Sequence, residues 1–251
     1  MADSLNHETK KQPLTMGIKK HIPNTITCCN LISGCISTVF ALTGNFPMAL
    51  LWIVMGAVFD FFDGMTARLL NVSSPIGKEL DSLADDVTFG VAPSAMVFYE
   101  LSAIDYPSMM EPLRPFLPYI AFVMAAFSAL RLAKFNLDER QTTSFIGLPT
   151  PANALFWGAL LVGYGSWIES SSANAPLLVL MMLLSCYLLV SEIPMFALKF
   201  KQWGWKGNEV KYIFMITSAA LILLLQVKGI AIVIAWYVFV SVLVGSRHNT
   251  H

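Results

Sequence analysis

The sequence predicts an all-α integral membrane protein with about eight transmembrane helices. Three observations carry that prediction. Of 251 residues, 56% are hydrophobic and only 13% are charged, against about 25% charged in ordinary soluble domains. The mean hydropathy is +0.63. Apolar stretches close to the ~20 residues that cross a bilayer recur along the chain, and no charge falls between Ile22 and Phe59. The formal net charge is zero, which gives no electrostatic footprint for nucleic acid. Cys28, Cys29, Cys35 and Cys186 follow neither a metal nor a disulfide spacing and read as inert thiols in apolar surroundings.

The elements follow in order. Residues 1–22 are polar, lack the apolar core of a signal peptide, and read as a cytosolic tail with an amphipathic foot at Met16–Ile22. The first span is expected over Thr27–Thr43. Gly44 and Pro47 end it and open the second, Pro47–Leu70. The third is expected over Gly77–Tyr99 and the fourth over Leu117–Phe135. The fifth starts at Pro151, a favoured first-turn position, and ends near Trp167. Pro176–Phe196, Val210–Gln226 and Gly229–Val244 complete the set. Trp167, Trp203 and Trp205 read as interfacial anchors.

Basic residues orient these spans, because cytoplasmic loops are enriched in Lys and Arg. Fourteen of the sixteen fall on one side: the run before the first span, Arg68 with Lys78, Arg131 to Arg140, Lys199 to Lys211, and Arg247. Only Arg114 and Lys228 fall on the other. Both termini are therefore expected in the cytoplasm, together with the turn between the second and third spans.

That turn holds an unusual concentration of acid. Asp60 and Asp63 stand one turn apart at the end of the second span, with Gly64 beside them and Ala67 returning to the same face. Gly77, Asp81 and Asp85 make a second single-faced stripe at intervals of four. A reversal at Asn71–Pro75 is expected to bring the four aspartates together, with Gly64, Ala67 and Gly77 leaving room between the arms. An acidic cap accounts for Glu79 or Asp81 but not for Asp60 and Asp63, which lie near a helix C-terminus, where negative charge is disfavoured. Four close carboxylates repel unless cations neutralise them. Hard oxygen ligands suit Mg²⁺, Mn²⁺ or Ca²⁺ rather than zinc, and two stripes have room for two ions. Arg68 is placed to meet a phosphate oxygen. Glu79 and Asp86 fall off both stripes and are expected to be solvated or to sit behind the ligands.

The pattern Asp60-x2-Asp63-Gly64-x2-Ala67-Arg68-x8-Gly77-x3-Asp81-x3-Asp85 resembles, at every fixed position, the signature of the CDP-alcohol phosphatidyltransferase family. The resemblance implies a core of about six transmembrane helices (23–200), with 201–251 added behind it. It also implies a homodimer and dependence on a divalent metal, Mg²⁺ or Mn²⁺. The implied reaction displaces CMP from a CDP-linked lipid or alcohol by a hydroxyl of the second substrate. Asp60, Asp63 and Asp81 would be metal ligands, and Asp85 both general base and part of the metal shell. Gly64, Ala67, Arg68 and Gly77 would form the nucleotide wall.

Three further stretches resemble the branch of that family that uses L-serine as acceptor and CDP-diacylglycerol as donor: Ile22–Gly34, Asp81–Phe98, and Ser128–Asn136 with Phe145–Ala154. That branch often has Arg where this chain has Lys134, so the bidentate fork is lost there. Serine's carboxylate needs a cation, and Arg131, followed by Lys134 and Asn136, is placed to supply it. The competing reading for these basic residues is snorkelling at the interface. Thr27 and Asn30, one turn apart, are candidates for nucleotide or phosphate contact, and capping is the alternative for Thr27 and Asn24. Glycerol 3-phosphate, inositol phosphate or choline remain possible acceptors, although a phosphorylated one would need more cations than this region offers. A divalent-cation transporter would place its carboxylates near mid-membrane rather than at one face.

Overall fold

The computed structural model describes residues 14–72, 74–138, 145–195, 204–205 and 208–248. The tail before Leu14, Arg140, Lys199, Lys201, Trp203 and Lys206 lie outside them. The chain forms α1 (Leu14–Leu42), α2 (Phe46–Leu70), α3 (Pro75–Asp85), a π-helical segment (Asp86–Val91) and α4 (Ala92–Ala103). Two short 3₁₀ turns (Glu111–Leu113, Leu117–Phe122) lead into α5 (Val123–Leu137). Then follow β1 (Phe145–Ile146), α6 (Thr150–Ile168), α7 (Asn174–Val190), β2 (Pro194–Met195), α8 (Glu209–Leu225) and α9 (Val227–His248).

All eight expected helices are present, and the fold is that of an all-α membrane protein. His21–Leu42, Phe46–Leu70 and Leu117–Leu137 are each long and apolar enough to cross a membrane, with Asn174–Val190 and Val227–Leu243 as shorter apolar helices. Large apolar side chains point outward, among them Leu69, Leu83 and Leu223. The interior mixes alanines (Ala41, Ala49, Ala92, Ala95) with larger side chains such as Ile53, Phe89, Met124, Trp157 and Leu161. Small residues let helix backbones approach closely where lipid supplies no hydrophobic drive between helices.

The structure departs from the sequence-based boundaries in three places. First, α1 begins at Leu14, not Thr27, and runs through Pro23. Proline in a helix interior removes one backbone bond and costs roughly 3 kcal/mol. Second, the third helix is continuous from Pro75 to Ala103 but widens into the π segment next to Asp85. Third, the sixth helix ends at Val190 rather than Phe196. Ser191 is extended, and Pro194–Met195 pairs antiparallel with Phe145–Ile146.

Local chemistry fixes the turns. Asn45 caps α2 by accepting from the Met48 amide. Asn71 ends α2 in the left-handed conformation at φ 51°, where Asn is among the few tolerant residues. Ser74 then caps α3, accepting from the Gly77 amide at 3.0 Å with Pro75 in the first turn. Gly147 turns the chain into α6 at φ +74°, and a Cβ there would lie 2.7 Å from the Leu189 carbonyl oxygen. Glycine is the residue that satisfies both conditions.

Packing places α1 at the centre of one half. It lies against α2, α3, the π segment and α4, whereas α2 and α3 diverge from their shared turn. In the other half α5 packs on the π segment and α7, α9 packs on α6, and α8 packs on α9.

Candidate active site

The divergence of α2 and α3 opens a cavity of about 260 Å³ at their turn, with α1 as its third wall. The expected hairpin of two facing arms is thus a three-sided site. Asp63, Gly64 and Ala67 line it from α2, Gly77 and Asp81 from α3, and Thr27 from α1. Nothing but the Arg68 guanidinium comes within 4.0 Å of where a Gly64 Cβ would stand, so Gly64 keeps that wall open. Gly77 is the opposite case, since an added Cβ would meet Asn24 Oδ1 and Ser74 Oγ at 3.0 Å. Arg68 itself is exposed at the rim.

Asp60, Asp63 and Asp81 each offer a carboxylate oxygen, and these oxygens lie within 4.8 Å of one another. At an effective dielectric of about 20, two unit charges at that separation repel by roughly 3–4 kcal/mol. Asp63 is buried, and one oxygen of Asp81 is buried without a hydrogen-bond partner among the described residues. A divalent cation would satisfy that oxygen and cancel the repulsion, so the donor set fits a hard metal ion such as Mg²⁺ or Mn²⁺.

Helix α1 supplies the positioning contacts. Thr27 Oγ1 donates to Asp63 Oδ2 at 2.6 Å. One turn on, Asn30 Nδ2 donates to Asp85 Oδ1 at 3.0 Å. Asn30 is held in turn, because Thr88 Oγ1 from the π segment donates to its carbonyl at 3.0 Å. A Cβ on Gly56 would stand 2.4 Å from Thr88 Cγ2 and 2.9 Å from Asn30 Oδ1, so glycine is what lets α2 close on this pair. Asp85 therefore sits one turn beyond the three-carboxylate group, on a leash from α1.

The remaining candidates divide. Arg131 is buried, packs its guanidinium over Phe135 at 5.4 Å, and lies within electrostatic reach of Asp85. It also lines a second cavity of about 390 Å³ with Lys134, Ile146 and Ser191. Lys134 is exposed at that rim. Asn136 does not face the carboxylates. Its Nδ2 donates to Ser82 Oγ at 2.7 Å and its carbonyl accepts from Lys78 Nζ at 2.8 Å, which braces α5 against α3. Asp86 is half-buried rather than solvated, and its Oδ1 is inaccessible to water.

Asn24, weighed in the sequence between capping and binding, and Lys78, read there only as a basic residue flanking the turn, both line the first cavity. The available signal was position. Lys78 follows Gly77 directly, and Asn24 lies three residues before Thr27.

A family model described as CDP-alcohol phosphatidyltransferase matches residues 20–243. The CDP-diacylglycerol–serine O-phosphatidyltransferase of Bacillus subtilis (strain 168) is 39% identical over 174 residues, covering 69% of this chain and 88% of that protein. The protein of that name from Mycobacterium bovis is 29% identical over 230 residues, covering 89% of this chain and 74% of its own length. That from Saccharomyces cerevisiae is 40% identical over 147 residues, about half of each chain at 52% and 50%. With residues 20–243 matched by that family's model, the chain belongs to the CDP-alcohol phosphatidyltransferase family.

Proposed function

We propose that this protein transfers the phosphatidyl group of CDP-diacylglycerol to the hydroxyl of L-serine and releases CMP. The observation that carries the reaction class is the approach of Asp60, Asp63 and Asp81 carboxylate oxygens to within 4.8 Å of one another, with Asp63 and Asp81 lining the cavity at the α2–α3 turn and Asp85 held by Asn30. The serine acceptor is supported by the activity named for the relatives and by the buried Arg131, within electrostatic reach of Asp85.

Asp60, Asp63, Asp81 and Asp85 would hold one or two Mg²⁺ or Mn²⁺ ions. Bound there, such an ion supplies charge neutralisation for the diphosphate of the donor. The chain's own groups do the rest. The open wall at Gly64 and Ala67 admits the cytidine nucleotide, and Arg68 at the rim meets a phosphate oxygen. Asp85 accepts the proton from the serine hydroxyl, whose oxygen bonds to the lipid-bearing phosphorus as the bond to CMP breaks. The Asn30 amide engages Asp85 Oδ1 and leaves the second oxygen available for that proton. Arg131 pairs with the serine carboxylate.

The catalytic unit is 23–200, with 201–251 as an addition. By the distribution of Lys and Arg, the site and both termini face the cytoplasm from the cytoplasmic membrane. The working form is a homodimer.

The decisive experiment supplies purified protein with CDP-diacylglycerol, Mg²⁺ or Mn²⁺, and a panel of acceptors, and follows CMP. Serine should drive release. Release with glycerol 3-phosphate, inositol phosphate or choline, and not with serine, would replace the acceptor while keeping the reaction class.

A further inference from the structure

Thr88 is fully buried in the π segment, three residues beyond Asp85. That segment is wound by bonds across five residues, as in the one from the Ala92 amide to the Val87 carbonyl. A buried hydroxyl costs free energy unless it finds a partner, and valine would fill the same space without that cost. Thr88 finds its partner on another helix, where its Oγ1 donates to the Asn30 carbonyl of α1 at 3.0 Å.

Two glycines on different helices clear the way for this contact. A Cβ on Gly34 of α1 would overlap Thr88 Oγ1 and stand 2.7 Å from Thr88 Cα, so the π segment lies backbone to backbone on α1. Gly34 follows Asn30 by one turn, at the position whose amide bonds to the Asn30 carbonyl in a regular helix. A Cβ on Gly56 of α2 would overlap Thr88 Cγ2 and stand 2.9 Å from Asn30 Oδ1. Both branches of one threonine therefore meet bare backbone. Asn30, itself fully buried, is fixed by the same contacts. Thr88 pins its carbonyl, Gly56 lies against its Oδ1, and its Nδ2 donates to Asp85 Oδ1 at 3.0 Å.

Close packing of three helices needs the small residues but not the hydroxyl. What the hydroxyl adds is a fixed height of α1 against the π segment, at the one turn of α1 whose side chain holds Asp85. We infer that Thr88 is a positioning residue for the transfer reaction. By tying the Asn30 turn of α1 to the π segment, it keeps the Asn30 amide on one oxygen of Asp85 and leaves the other to take the proton of the acceptor hydroxyl. Thr88 touches no substrate and acts only through Asn30. The assignment rests on the general-base reading of Asp85 above and deepens it, and it is independent of which acceptor is used.

The test uses the purified full-length chain with CDP-diacylglycerol, Mn²⁺ and serine, or whichever acceptor the panel identifies, and reads CMP release and thermal unfolding. Thr88→Val should lower kcat about tenfold with KM for both substrates within about twofold, and Thr88→Ser, which keeps the donor, should restore kcat to within about threefold. Asn30→Ala should lower kcat by at least as much. In the Asn30→Ala background Thr88→Val should cost no further kcat, because residues that act through one another are not additive. Its effect on melting temperature should persist there, since the bond is to the backbone of residue 30. If Thr88→Val does not fold, Thr88→Ser against Thr88→Ala isolates the same hydroxyl without added bulk, and the same loss and the same disappearance are expected. Multiplying kcat losses, equal kcat in the variants with and without the hydroxyl, or a loss carried in KM overturns the Thr88 assignment alone. Full activity of Asp85→Asn overturns the base reading and this assignment with it.

Discussion

Thr27 and Asn30 show how a single side chain decides what a carboxylate can do. Asp63 is buried, and the 2.6 Å bond from Thr27 fixes which of its oxygens faces the cavity. Hydrogen bonds to a charged group contribute about 1.5–3 kcal/mol. Thr27→Val keeps the shape and removes the donor. Turnover should fall by about 10- to 100-fold, and the metal concentration giving half-maximal rate should rise. An unchanged metal titration would show that Thr27 is only packing. Asp85→Asn is the sharper change, since it removes the proton acceptor without altering volume. CMP release should drop by about 10²–10⁴-fold, while CDP-diacylglycerol still binds, as measured by retention of labelled lipid on the purified variant. Full activity would end the general-base assignment. Of these residues, the aspartates were legible from spacing alone, because a helix returns to one face every three or four positions. Asn136 was not legible in the same way. Its neighbours in the sequence pointed to the substrate, but the fold turns its amide onto Ser82, and only the docking of α5 on α3 decides that.

Elements matter here through how closely they approach. The α1–α2 contact brings Gly56 against Thr88 and Asn30, with no space for a methyl group. Gly56→Ala should push α2 away from the π segment and shift Asn30, and with it Asp85. The expected outcome is roughly a tenfold loss of kcat from about 1–3 kcal/mol of overpacking, with KM for CDP-diacylglycerol little changed. Wild-type kcat in that variant would mean that the helices yield without disturbing the site. The π segment is the second device at this scale. Asp86, expected to be solvated or to sit behind the ligands, opens this wider turn next to Asp85, and its Oδ1 is buried. π-bulges of this kind are frequent at functional sites and have no reliable sequence signature. The third helix was therefore legible as a helix and not as an interrupted one. The shortfall at the end of α7 has a similar origin, because its last turn is replaced by pairing with a strand some fifty positions earlier in the chain.

For the whole molecule, the distribution of basic residues predicts that the α2–α3 turn faces the cytoplasm and the α6–α7 connection faces the other side. In a background with the four cysteines replaced, Ser171→Cys should react with a membrane-impermeant maleimide on intact cells. Glu79→Cys should react only after permeabilisation. The opposite pattern would put the active site on the wrong side for a water-soluble cytosolic acceptor. At this scale the sequence by itself determined the membrane class, the number of helices, their approximate order and the four aspartates, because hydropathy and helical periodicity are local properties of the chain. Tertiary structure alone decided that α1 is the third wall of the site, that Thr27 holds Asp63 and Asn30 holds Asp85, and that Thr88 of the π segment holds Asn30 in turn. Those facts depend on which faces of distant helices are brought into contact, and no local pattern encodes that.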